Sequence, residues 1–133
     1  MKLVFFDDFK LGAVKGDQVV DLSSAVADIP RTHPQDVLVG VITQFTQRKS
    51  ALEAAIASGK GVALGSVRIR PPVPRPMTID CMAVNYMEDG TRSEPAPINA
   101  FHKSPSAIIG HGDTMVLPDV PAPIFEGGPR SRW

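Results

Sequence analysis

The chain has 133 residues, a hydrophobic share of 43%, and fourteen basic against fourteen acidic side chains. That length fits one domain, two small units or the opening of something larger, and the balanced charge excludes a long-range field toward nucleic acid or an anionic membrane. The single cysteine, Cys81, excludes an internal disulfide framework and fits a reducing compartment, so a cytoplasmic location is expected.

The chain opens Met1-Lys2-Leu3-Val4-Phe5-Phe6-Asp7-Asp8, where two acids come after the apolar run too early for a signal peptide. No stretch reaches the roughly 20 apolar residues that a membrane-spanning helix needs. Residues 3–6 read as a strand, and residues 11–14 and 19–22 as a hairpin around Lys15-Gly16-Asp17, where glycine accepts a positive φ. Thr32-His33-Pro34-Gln35 fits a capping box, with Thr32 accepting from the helix backbone and Gln35 reaching back. Val37, Leu38, Val41, Ile42 and Phe45 then share one apolar stripe at helical spacing, which predicts a helix laid over the sheet. Ser50-Ala51-Leu52-Glu53 repeats the capping pattern, and Leu52, Ala55 and Ile56 continue an apolar face. Gly59 is placed to end this second helix in a left-handed conformation. A unit of residues 1–66 is near the lower size limit for independent folding and is expected to lean on the segment C-terminal to it.

Thirteen prolines are present, most of them from Pro71 onward, so two regions of different build are expected. Val67-Arg68-Ile69-Arg70-Pro71-Pro72-Val73-Pro74-Arg75-Pro76 reads as a stiff, extended connector, a better reading than an SH3 or WW ligand because short proline patterns are common. Residues 78–84 read as a buried strand, and residues 106–109 and 114–117 as two further strands around Gly110-His111-Gly112-Asp113. Residues 85–99 carry polar groups, a glycine and prolines without periodicity, the kind of long loop in which functional groups are found.

From residue 67 to 118 the order of segments resembles the fumarylacetoacetate hydrolase family. The segments are the Arg-Pro-Pro-Val-Pro-Arg-Pro approach and a strand ending in Cys81-Met82-Ala83-Val84-Asn85-Tyr86. Phe101-His102-Lys103-Ser104-Pro105-Ser106, Ile108-Ile109-Gly110 and Thr114-Met115-Val116-Leu117-Pro118 come next in that order. The first region resembles the small N-terminal domain of many bacterial members. The resemblance implies an α+β chain: a small N-terminal β-sheet with two helices (residues 1–66), then the opening strands of a mixed β-roll (residues 67–126). It also implies a metal-dependent enzyme that hydrolyses, hydrates, isomerises or decarboxylates small 2-oxo acids or acylpyruvates. In a full-length relative Mg²⁺ or Mn²⁺ is expected on a Glu-x-Glu pair and a later acid, acting as a Lewis acid.

Carried onto this sequence, the resemblance makes Asn85 and Tyr86 candidate substrate-binding residues, since a phenol donates well to a carboxylate or oxo group. An ordinary strand end is the competing reading. Where carbon–carbon hydrolases of the family place a histidine, this chain has Asp89, preceded by Glu88. Both are weak catalytic candidates, because an exposed carboxyl titrates near 4 and is a poor base at neutral pH. Lys103 is a candidate partner for a substrate carboxylate, with a structural ion pair as its alternative. His33, His102 and His111 lack the spacing of a compact metal motif, and Cys81 reads as an inert buried thiol.

After Ile124-Phe125-Glu126 the family pattern continues with a Gly-Glu-Ala-Glu-Ile-Ala-Val-Val-Ile type strand, whereas this chain reads Gly127-Gly128-Pro129-Arg130-Ser131-Arg132-Trp133. Gly128 and Arg130 stand at the two ligand positions, and neither binds a cation, so no metal site is expected in this chain. Deleting one base from a coding of the expected segment gives this seven-residue tail and then a stop, which makes residues 127–133 an expected frameshifted tail. The chain is therefore expected to be an enzyme fragment, inactive alone, whose parent takes a small-molecule 2-oxo acid. The alternatives are a non-enzymatic module that binds or forms a homodimer, and a metal-free binding protein that reuses the pocket near Tyr86.

Overall fold

The computed structural model describes residues 1–82, 94, 97 and 99–121. Three strands come first: β1 (Leu3–Phe6), β2 (Lys10–Lys15) and β3 (Gln18–Asp21). They form an antiparallel meander, with Leu3 opposite Ala13 and Val14 opposite Val19. The β2–β3 turn falls where the sequence predicts it: Lys15 pairs with Gln18, and Gly16 has φ +63°, a conformation open to glycine without a Cβ clash. Two helices come next, α1 (Pro34–Thr43) and α2 (Phe45–Ser58). β4 (Gly61–Ala63) and β5 (Ile69–Arg70) then complete a five-stranded sheet in the order β4-β3-β2-β1-β5.

Alternation decides which side chains meet the helices. Phe5, Leu11, Ala13, Val20 and Leu22 from the sheet region join Val26, Ile29, Val37, Val41 and Leu52 in one core. Ala55 and Ile56 pack against it, so the predicted face of α2 is correct. The architecture is α+β, a curled sheet covered by two helices, as expected for the first region.

Several local expectations are corrected. The cap of α1 lies one residue later than predicted, at His33, and Asp36 rather than Gln35 reaches back. Asp36 Oδ2 accepts from the backbone N–H groups of Thr32 and His33, each at 2.8 Å, because a carboxylate satisfies exposed amides and favours the positive end of the helix. Gln35 instead accepts from Arg75 N–H through Oε1 at 3.3 Å. α2 begins at Phe45, five residues before the predicted cap at Ser50, and Gln44, with φ −108°, separates the helices. Arg48 ties this start down by a bidentate pair with Asp28 and a bond to Gln44 Oε1. Two members of the predicted stripe are not buried: Ile42, within α1, is 64% exposed, and Phe45, beyond the break at Gln44, is 41% exposed.

Gly59 ends α2, but in an extended conformation (φ −70°, ψ 140°), not the left-handed one. Its requirement is steric. A Cβ there would lie 2.4 Å from Val20 Cγ1 and 2.7 Å from Ala55 O.

The predicted connector also contributes to the fold. Ile69 and Arg70 pair with Phe6 and Phe5, so the sheet draws its fifth strand from beyond residue 66. The β1–β2 turn needs this support, since Asp7 (φ 46°) and Phe9 (φ 58°) are both left-handed without being glycine. Asp7 N–H donates to Arg68 O at 2.8 Å, Asp7 Oδ1 accepts from Arg68 N–H at 3.0 Å, and the Arg70 guanidinium sits 5.0 Å from the Phe9 ring centroid.

In the second region β6 (Ile79–Met82) and β7 (Ala100–Lys103) form a two-stranded antiparallel ribbon. The strand predicted at 78–84 is thus present over Ile79–Met82, but it alternates between faces instead of being buried throughout, and only Cys81 in it is buried. Residues 106–109 and 114–117 are not strands: Pro105–Ala107 is a short 3-10 turn, and 114–117 has no regular structure. Pro105 and the Ser104 cap explain the first case, since Pro105 lacks a ladder donor and Ser104 Oγ accepts from Ser106 N–H at 3.3 Å.

Candidate functional site

The β6–β7 ribbon carries the part of the predicted site that the structure describes. Its register sets Ile79 opposite Lys103, Asp80 opposite His102, Cys81 opposite Phe101, and Met82 opposite Ala100. Period-two alternation places Ile79, Cys81, Phe101 and Lys103 on one face and Asp80, Met82, Ala100 and His102 on the other. Lys103 is half-buried, and its ammonium lies 5.9 Å from the Phe101 ring centroid, so the ring face supplies the attraction. On the opposite face His102 Nδ1 is 2.6 Å from Asp80 Oδ1.

Asn85, Tyr86, Glu88 and Asp89 lie outside the described residues. The chain leaves toward them from Met82, at the end of the ribbon where Ala100 pairs, whereas Lys103 pairs with Ile79 at the other end. The separation along the ladder is three residues, about 10 Å. Lys103 therefore stands apart from the point where the chain departs toward Tyr86. Cys81 is 2% exposed on the Lys103 face, as expected for an inert thiol.

A polar cluster that sequence reasoning missed joins the second region to the first. Asp113 Oδ1 accepts from both Arg68 Nε and Arg68 Nη2, and Asp113 Oδ2 accepts from Gly110 N–H at 2.8 Å. The Gly110 amide first, and the Arg68 guanidinium second, hold the Asp113 carboxyl below the usual carboxylate value. Arg68 thus clasps residues 110–113 while its backbone braces Asp7. The local signal was the Gly110-His111-Gly112-Asp113 turn, but nothing in the sequence links it to an arginine 45 positions earlier.

Two open clefts flank these elements. One, of about 370 Å³, lies between the β1–β2 turn and the start of α1, with Asp8, Lys10, Arg31 and His33 in its wall. The other is lined by Asp17, Arg68 and His111 among others. Neither has Lys103, the one predicted substrate-binding residue among those described, in its wall.

Among the described residues no three His, Cys, Asp or Glu side chains come together in a group able to hold a metal ion. The described residues therefore do not fit the divalent ion that the family resemblance implies. Gly128, Arg130 and Glu126 lie outside the described residues. No helix among the described residues is long and apolar enough to cross a membrane.

No family model matches the chain. A maleylpyruvate hydrolase from Aquipseudomonas alcaligenes is 29% identical over 88% of this chain and 46% of its own length. Among solved structures, the maleylpyruvate hydrolase of Sphingobium sp. SYK-6 in complex with manganese(II) ion and pyruvate superposes with a TM-score of 0.75. It is 33% identical, over 91% of this chain and 44% of that one. A second structure of the Sphingobium enzyme gives the same values, TM-score 0.75 and 33% identity. The chain spans less than half the length of the relatives it matches.

Proposed function

We propose a function from one premise: the chain is a homologue of the maleylpyruvate hydrolases, enzymes of the fumarylacetoacetate hydrolase family. On this reading it supplies the small N-terminal domain (residues 1–66) and the opening of the catalytic domain (residues 67–126) of a hydrolase for acylpyruvate-type 2-oxo acids. The observation that carries the reading is the 33% identity and TM-score of 0.75 to an enzyme seen with manganese and pyruvate. A divalent ion supplies Lewis-acid polarisation in such an enzyme, and ligands for it are not among the described residues of this chain. The chain alone is accordingly proposed to be inactive, and its location to be cytoplasmic, a placement supported by the lone buried Cys81.

In the complete site Lys103 pairs with a substrate carboxylate. Its half-buried position against Phe101 supports this, because a restrained ammonium loses less freedom on binding than a fully solvated one. Asn85 and Tyr86 donate to the oxo acid, and Glu88 or Asp89 serves as a weaker acid–base candidate. A second reading, a non-enzymatic binding or dimerisation module, is favoured by the exposure of Met115, Val116 and Leu117.

A chimera tests the enzymatic reading. Residues 1–121 of this chain replace the matching segment of the Sphingobium enzyme, and pyruvate release from maleylpyruvate with Mn²⁺ is measured. Turnover is expected, with a Lys103→Met variant raising KM about tenfold or more while the fold is retained. The chain alone should release no pyruvate. A folded, manganese-binding chimera inert toward maleylpyruvate and other acylpyruvates would sink the reading.

A further inference from the structure

The cleft between the β1–β2 turn and the start of α1 joins a cationic wall to an apolar floor. Leu11, Val26 and Val37 line the floor, and all three are buried members of the first region's core. Lys10, Arg31, His33 and Asp8 stand in the wall. His33 Nε2 accepts from Arg75 Nη1 at 2.6 Å, so a third permanent cation touches this wall. Among the described residues Arg31 has no ion-pair partner, and its guanidinium donates to the Val26 carbonyl at a long 3.4 Å. Lys10 Nζ lies 4.0 Å from Asp21 Oδ2 with both side chains about half exposed, a pairing of little energetic value. Asp36 is already committed to the Thr32 and His33 amides. Among the described residues Asp8 is the one acid in the wall, so the permanent charges there favour an anion.

Floor and wall together set the ligand class. The Arg31 guanidinium offers parallel N–H donors that match a carboxylate, Lys10 adds a point charge, and the Ser23 hydroxyl in the same wall supplies a further donor. An inorganic anion would leave the apolar floor wet, whereas a carbon chain removes that surface from water. Few cations, opposed by Asp8, suit one or two negative charges and not a polyphosphate. We propose that this cleft binds a small organic carboxylate with an apolar carbon chain, its carboxylate on Arg31 and Lys10 and its chain over Leu11, Val26 and Val37. The volume of about 370 Å³ has room for such a molecule. The turn in the wall is held before a ligand arrives: Asp7 is bonded to Arg68, and the Arg70 guanidinium sits 5.0 Å from the Phe9 ring centroid. The site stands on this geometry and does not depend on the proposed function.

Amide nitrogen–proton spectra of the full chain, titrated with hexanoate, hexanamide and inorganic phosphate, test the site. Hexanoate should shift the amides of residues 8–11, 23, 31–33 and 37 with a Kd of about 1 mM or below. Hexanamide and phosphate should bind about tenfold more weakly or worse, since the first lacks the charge and the second the chain. Arg31→Gln, at an exposed position, should weaken hexanoate about tenfold, and Asp8→Asn, which removes the opposing charge, should strengthen it about twofold. The α2 amides should stay in place in both variants, which shows that the fold is retained. Equal binding of hexanamide overturns the carboxylate assignment, and equal binding of phosphate overturns the role of the apolar floor. The absence of a saturable shift, shifts centred on other residues, or an Arg31→Gln variant that binds hexanoate as the parent does overturns the site itself.

Discussion

Replacing Gly59 by alanine separates two explanations for a glycine at the end of a helix. If Gly59 had to be left-handed, alanine would be strained and asparagine tolerated. Here the backbone is extended, and the obstacle is the Cβ itself, 2.4 Å from Val20 Cγ1 and 2.7 Å from Ala55 O. Val20 is 1% exposed and held in β3 between neighbours, so it cannot swing away, and overpacking of this kind costs about 1–3 kcal/mol. With a urea m-value of about 1–3 kcal/mol/M, a loss of about 2 kcal/mol lowers the unfolding midpoint by roughly 1 M. Gly59→Asn should cost at least as much as Gly59→Ala. Val20→Ala should partly rescue Gly59→Ala, with a coupling of about 0.5–3 kcal/mol in the double-mutant cycle, incomplete because the Ala55 carbonyl stays in place. Urea titration monitored by circular dichroism gives all four midpoints. Tolerance of asparagine but not alanine, or strict additivity with Val20→Ala, would refute the steric account.

The clasp and the tail give two further expected outcomes. Asp113→Asn should speed amide exchange over residues 108–113 and leave the α1 and α2 amides unchanged. Because the Gly110 amide and Arg68 depress the folded value of Asp113, its contribution is complete above the ordinary value of 3.8 and is lost as pH falls through the lower folded value. Exchange measured from about pH 5 down to about pH 2.5 should therefore show residues 108–113 loosening with acid in the parent chain but not in Asp113→Asn. For residues 127–133, the DNA after the Phe125 codon, read one base out of frame, should encode a Glu-x-Glu strand. If no frame encodes one, the frameshift proposal fails.

The sequence by itself determined the α+β class, the β1–β2–β3 meander and the apolar faces built on Val37, Val41, Leu52, Ala55 and Ile56. Each rests on period-two or helical spacing, which a single segment displays without reference to the rest of the chain. The ordered motifs from Val67 to Pro118 also carried the resemblance to the fumarylacetoacetate hydrolase family. Local patterns misled where two readings competed within one turn of helix: Ser50 looks like a cap but sits inside α2, and Asp36 outcompetes Gln35 because its carboxylate satisfies two amides together. Tertiary structure alone decided that Ile69–Arg70 becomes the fifth strand, that Arg68 clasps Asp113, and that Gly59 is needed for its missing Cβ. Those outcomes depend on partners such as Asp7, Asp113 and Val20, at least 39 positions away in the chain. Strand edges, ion pairs and side-chain clearances are settled only when distant segments meet, and no local spacing records that meeting.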